Sequence, residues 1–147
     1  MLTAIKKLLI FGDEIKFPES VFALPFAYVG MILASNGLPE LDRLIWITVA
    51  MISARTSGMA ANRLIDRHID ARNPRTSNRS LPNGNLSVRY VAIIALGASG
   101  LLLIAALQLN LLAFVLAPFT LLYLTFYPYT KRFTWTSSIF LGWALAI

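Results

Sequence analysis

Asn62, Asp66 and Asp70 recur at four-residue intervals. On an α-helix they form one stripe that drifts by about 40° per step. Arg55 lies seven residues before Asn62 and falls on nearly the same face, deeper in an apolar stretch. Two carboxylates and an amide in a column with a guanidinium, ringed by Arg63, Arg67, Arg72, Arg75 and Arg79, bring oxygen ligands and cationic donors together. A diphosphate carrying Mg2+ uses both. Mg2+ is commonly held by one or two carboxylates plus phosphate oxygens, and arginines grip the remaining phosphate oxygens bidentately. Spacing alone leaves a plainer reading open. Arg63 and Asp66, and Arg67 and Asp70, are i, i+3 neighbours that also suit surface ion pairs worth only about tenths of a kcal/mol. The loop arginines also suit topology determinants or contacts to anionic lipid. His68 falls on the opposite helix face and is assigned no role, while Tyr123, Tyr127 and Tyr129 read as aromatics of the membrane interface.

Such a column needs elements to hold it. The chain has 147 residues, 57% hydrophobic and 14% charged. A soluble domain carries roughly 25% charged residues, and disorder needs low hydrophobicity with high charge, so both classes are excluded. There is no cysteine, which removes disulfides, zinc–thiolate sites and thiol catalysis. A single histidine removes any histidine-cluster metal site. The net charge of +6 marks a cytoplasmic face rather than nucleic-acid binding. At the N-terminus, Lys6 and Lys7 precede an apolar run that is too short for a secretory signal and is interrupted by Gly12, Asp13, Glu14 and Lys16. That start reads as an amphipathic helix lying in the interface.

A spanning helix needs about 20 mostly apolar residues. The pattern predicts helices near 17–36, 42–70, 88–108 and 110–130, with 71–86 irregular. Pro25 falls inside the first and is expected to kink it. Asn73-Pro74 and Pro82-Asn83-Gly84 are turn signals, and Ser87 is a cap for the third. Residues 90–130 contain no Asp, Glu, Lys, Arg or His, too long a run for one span, so the break falls at Gln108-Leu109-Asn110. A fifth apolar segment begins at Phe133 and reaches the last residue, Ile147. The expected fold class is therefore all-α, a multi-spanning transmembrane bundle of about four and a half helices. Residues 1–147 are expected to be the N-terminal part of one membrane domain in a longer protein. With the N-terminus inside, Lys6, Lys7, Lys16, Arg63, Arg67, Arg72, Arg75, Arg79, Arg89, Lys131 and Arg132 all fall inside, and Arg43 alone outside. The positive-inside bias puts the N-terminus and the Asp stripe on the cytoplasmic side, and the expected location is a bacterial inner (plasma) membrane.

Asn62-x-x-x-Asp66-x-x-x-Asp70 resembles the first aspartate-rich motif of the UbiA superfamily of membrane prenyltransferases. The segment Arg72-Asn-Pro-Arg75-Thr76-x-x-Arg79-x-Leu81-Pro82-x-Gly84 is similar to the basic stretch that follows that motif. Tyr127-x-x-x-Lys131-Arg132-Phe-Thr is similar to the basic motif after the family's fourth helix, and Phe140-Leu-Gly142 suits the start of its fifth. Residues 15–27, with Arg63 directly after Asn62, look most like the menaquinone-type branch of the 4-hydroxybenzoate polyprenyltransferase group. Many members carry Asp where this chain has Arg63, so Arg63 is given no metal role.

The resemblance implies a nine-helix bundle with a cavity open to the cytoplasm and to lipid, and a second Asp-rich motif after the sixth helix. It implies that residues 1–147 alone carry half of the site and are inactive by themselves. The implied activity is transfer of a polyprenyl group from its diphosphate to an aromatic acceptor such as 4-hydroxybenzoate, in ubiquinone or menaquinone biosynthesis. Mg2+ is the implied cofactor, held by Asn62, Asp66 and Asp70, with Asp66 and Asp70 catalytic. Arg55, Asn62, Arg72, Arg75, Lys131 and Arg132 are the implied substrate contacts. The expected partners are polyprenyl diphosphate, an aromatic acid and the lipid bilayer, with no nucleic acid. Alternatives from other classes are another lipid-diphosphate enzyme, a small transporter or channel subunit using Arg55 and the Asp pair as an ion path, and a structural membrane protein whose basic loop binds a partner.

Overall fold

Long apolar runs separated by polar breaks leave the backbone one economical solution in lipid, which is to satisfy its hydrogen bonds within helices. A computed structural model describes residues 4–35, 37, 39–130, 132 and 137–146 of the chain, and those residues form six helices with no strand among them. They are α1 (Ala4–Glu14), α2 (Phe17–Ser35), α3 (Leu41–Arg72), α4 (Val88–Leu109), α5 (Leu111–Thr130) and α6 (Ser137–Ala146). Helices α2 to α5 are long and apolar enough to cross a membrane, and the protein is integral to one. The bounds agree with the sequence pattern, and α2 runs through Pro25 without interruption. Ser87 caps α4 by accepting a hydrogen bond from the Tyr90 amide at 3.2 Å. At the α4–α5 turn, the Asn110 side chain accepts from the Ala113 amide at 2.7 Å.

The 32 residues of α3 span about 48 Å at 1.5 Å per residue, well beyond a hydrocarbon core of roughly 30 Å. Its polar end, with Asn62, Asp66 and Asp70, therefore stands at the rim of the bundle. Helix α3 is also the hub, packing against α2, α4 and α5. Lipid offers apolar faces no drive to pair, so close packing and polar clasps carry the association. The Tyr28 and Thr48 hydroxyls meet at 2.9 Å between α2 and α3, and the Ser57 and Ser99 hydroxyls at 2.7 Å between α3 and α4. Tyr123 donates to the Phe140 carbonyl at 2.9 Å, tying α5 to α6. At Gly58 of α3 an added Cβ would lie 3.4 Å from the Leu124 side chain, so α5 packs directly over this glycine. The outward faces carry Phe22, Phe26, Leu33, Leu96, Leu112 and Phe119, all exposed, as a lipid-facing surface requires.

A buried apolar cluster lies at the polar-loop end: Phe11, Ile15, Ala60, Leu81, Leu86 and Val91. It joins α1, α3, α4 and the loop of residues 73–87. Phe11 meets Tyr90 edge to face, with ring centroids 6.3 Å apart. The expected interfacial lead-in is thus a helix with one face docked on the bundle and Ile5, Leu8 and Leu9 exposed on the other. The loop folds back through local bonds. The Arg75 amide donates to the Asn73 side chain at 3.0 Å, and Gly84 closes a turn at φ 75, a left-handed conformation that glycine adopts without strain.

Candidate functional site

The far end of α3 presents its polar stripe to the protein and its apolar residues outward. Asn62, Asp66 and Asp70 are buried at 8%, 5% and 8% exposure, whereas His68 and Ile69 are exposed. One continuous helix carries all three stripe residues, so they share the face that their spacing requires. Buried carboxylates are costly unless they are paired or hold a cation.

The loop supplies the first partner. Arg79 Nη1 donates to Asp70 Oδ2 at 2.7 Å, and Thr76 Oγ1 donates to the Asp70 carbonyl at 3.0 Å. Helix α5 supplies the second, because Asn62 Nδ2 donates to the Tyr127 hydroxyl. That bond uses the amide nitrogen and leaves the amide oxygen as the group suited to a cation. Tyr127 is therefore a buried neighbour of the stripe, not the interfacial aromatic expected from the sequence. It reaches Asn62 because α5 lies against α3 near Gly58, and Tyr127 follows Leu124 by one helical turn. Tyr127 opens the motif that ends in Lys131-Arg132, which was the signal that could have set it apart from Tyr123 and Tyr129. The other partner missed was Arg79, which was read only within the basic run.

Arg63 is held by α1. Its Nε donates to the Glu14 carbonyl at 3.0 Å and lies 3.5 Å from Glu14 Oε1. Arg67 donates to His68 Nε2 at 3.1 Å and to the Leu64 carbonyl at 3.2 Å. So Arg63 pairs with α1, and Asp70 pairs with the loop. Arg132 donates to the Ile65 carbonyl at 2.9 Å and sits 5.1 Å from the Tyr129 ring centroid, which brings the end of α5 against the site. Arg72 and Arg75 are exposed at the margin, and Lys131 lies outside the described residues. Arg55, half-buried and deeper in α3, has a buried Nε with no hydrogen-bond partner among the described residues. An unsatisfied guanidinium donor at that depth is the kind of group an anionic or polar ligand satisfies.

The oxygen donors of Asn62, Asp66 and Asp70 fit a hard cation. Among the described residues no group of three or more His, Cys, Asp or Glu side chains is placed to hold a metal. A cation held by this stripe would need further oxygen ligands from outside the protein. Tyr127→Phe is expected to weaken binding of Mg2+ with inorganic diphosphate by about 1 kcal/mol, the worth of the bond that orients Asn62. Isothermal titration of the purified protein measures it, and an unchanged affinity would remove Tyr127 from the site.

The UbiA prenyltransferase family matches residues 23–147. The 4-hydroxybenzoate octaprenyltransferase of Nitrosomonas eutropha is 37% identical over 117 residues, covering 80% of this chain and 41% of that enzyme. The enzyme of the same name from Vibrio cholerae is 34% identical over 118 residues, covering 79% of this chain and 41% of that enzyme. The apo structure of a UbiA homolog from Aeropyrum pernix K1 superposes with a TM-score of 0.81 at 35% identity, covering 87% of this chain and 46% of that one. The chain thus spans less than half the length of these relatives.

Proposed function

The chain belongs to the UbiA prenyltransferase family, and on that premise we propose that it serves an integral-membrane aromatic prenyltransferase. The donor is a polyprenyl diphosphate, and the acceptor is an aromatic acid of the 4-hydroxybenzoate class. The observation that carries the reading is the buried Asn62–Asp66–Asp70 stripe, with Arg79 and Thr76 closed over Asp70, at the rim of a membrane bundle. The names of the matched relatives support the choice of acceptor. Arg63 and residues 15–27 favour the menaquinone-type branch. The excess of basic residues on one side supports a cytoplasmic site in a bacterial inner membrane.

Asn62, Asp66 and Asp70 would hold Mg2+, which when bound supplies positive charge to the diphosphate. Arg79, with Arg72, Arg75 and Arg132, and Lys131 as the sequence motif implies, take the remaining diphosphate oxygens or the acceptor carboxylate. Arg55 donates deeper along α3. As the C1–O bond of the donor breaks, its electron pair leaves with the diphosphate, and these fixed cationic donors stabilise the growing charge. A ring carbon of the acceptor supplies the pair for the new C–C bond, and that carbon then loses its proton. The apolar side chains of the bundle keep water from the allylic carbon. The bilayer already dissolves the polyprenyl tail, so a site at the bundle rim meets its donor in place.

Membranes carrying the full-length protein, given Mg2+, 4-hydroxybenzoate and radiolabelled octaprenyl diphosphate, are expected to form a ring-prenylated acid and release one diphosphate per ring. Release of inorganic phosphate with no prenylated ring would overturn this in favour of a lipid phosphatase.

A further inference from the structure

Glu14 is a buried acid that the transfer chemistry does not use. It is the last residue of α1 and is 6% exposed. Three elements meet on it. Its carbonyl accepts from Arg63 Nε of α3 at 3.0 Å, its Oε1 lies 3.5 Å from the same nitrogen, and its Oε2 accepts from the Ser80 amide of the loop at 2.9 Å. Both contact points adjoin the site in sequence. Arg63 follows Asn62, and Ser80 follows Arg79, which holds Asp70 at 2.7 Å.

We propose that Glu14 is a positioning residue for the cation–diphosphate site, clamping the loop of residues 73–87 onto α3 so that Arg79 stays within reach of Asp70. The inference rests on the diphosphate reading above. Its surroundings argue against a packing role. Phe11, Ile15, Leu81 and Leu86 form an apolar pocket beside it, and stability alone favours a hydrophobic side chain over a buried ion pair in such a place. An ion pair provides directed contacts instead. The carboxylate sets the position of one loop amide, and the Arg63 guanidinium sets the position of α1 on α3. The pairing also has a consequence for binding. A cation on Asp70 competes with Arg79 for the same carboxylate. With Ser80 held, the Arg79 backbone stays fixed while its side chain passes from Asp70 to a diphosphate oxygen. Without the clamp the loop lifts, and Arg79 serves neither state.

The test uses the purified protein in lipid nanodiscs, with two readouts. One is hydrogen–deuterium exchange over residues 76–86, and the other is affinity for Mg2+ with inorganic diphosphate. Glu14→Ala is expected to speed exchange in that segment by about tenfold or more and to weaken binding by about tenfold, with helicity unchanged. Glu14→Gln keeps an oxygen for the Ser80 amide and is expected to restore most of the protection. Wild-type exchange in Glu14→Ala overturns the clamp, and so does weakened binding without faster exchange. If Glu14→Ala does not fold, Glu14→Asp, whose shorter side chain draws the carboxylate back from the Ser80 amide, takes its place against Glu14→Gln, and unchanged exchange and affinity in Glu14→Asp overturn the proposal. If the wild-type protein binds no Mg2+–diphosphate, the diphosphate reading fails, and with it the role of Glu14 at that site, while the exchange data still report whether Glu14 holds the loop.

Discussion

In the full-length protein, Asp66→Asn is expected to lower Mg2+-dependent prenyl transfer by at least about 100-fold, the scale seen when one charge-stabilising group is removed from a site where leaving-group charge develops. Asp66 is 5% exposed in the middle of the stripe, between Asn62 and Asp70 on one helix face. Asparagine keeps its shape and removes its charge, so the bundle should fold unchanged. Asp70→Asn is a less direct test, because it also releases Arg79 from its 2.7 Å pair. The measurement is label transfer to 4-hydroxybenzoate at saturating Mg2+, with helicity as the folding control. Turnover near the wild-type rate would remove Asp66 from the metal site and leave the stripe a structural feature of the helix end.

The second large effect is on stability. Arg63→Met is expected to destabilise the fold by about 3–5 kcal/mol, the cost of leaving one member of a buried ion pair without its partner. The Arg63 and Glu14 side chains are 8% and 4% exposed, so water cannot take the place of the lost guanidinium. The Ser80 amide would remain as the recorded contact of the Glu14 carboxylate. Exchanging both residues, in Glu14→Gln with Arg63→Met, is expected to recover more than half of the loss, since no unpaired charge is then buried. Reversible unfolding in mixed micelles measures both variants. A single Arg63→Met change within about 1 kcal/mol of wild type would show that the pair is solvated in the membrane-bound protein.

The helices and the stripe were legible in the chain because each follows from a short-range rule. Hydrocarbon selects runs of about 20 apolar residues, so the uncharged stretch of residues 90–130 had to divide into two spans, and it does so at Asn110. Helical spacing puts Asn62, Asp66 and Asp70 on one face wherever that face points. Ser87 was legible as a cap because capping is local.

The partners of that face were decided elsewhere. Tyr127 meets Asn62 across 65 residues of chain, Glu14 meets Arg63 across 49 and Ser80 across 66. None of these pairs has a periodic signature. Tyr127 stood in the motif with Lys131 and Arg132, but only the packing of α5 against α3 buried it beside the stripe while Tyr129 stayed exposed. Arg79 was one of several basic loop residues until the loop, folded back over α3, put its guanidinium on Asp70 while Arg72 and Arg75 stayed exposed. By itself, then, the sequence determined the membrane helices and which polar residues share a face, because those depend on spacing along one helix. Which side chains close over that face was decided only by the tertiary structure, because that depends on how separate helices pack.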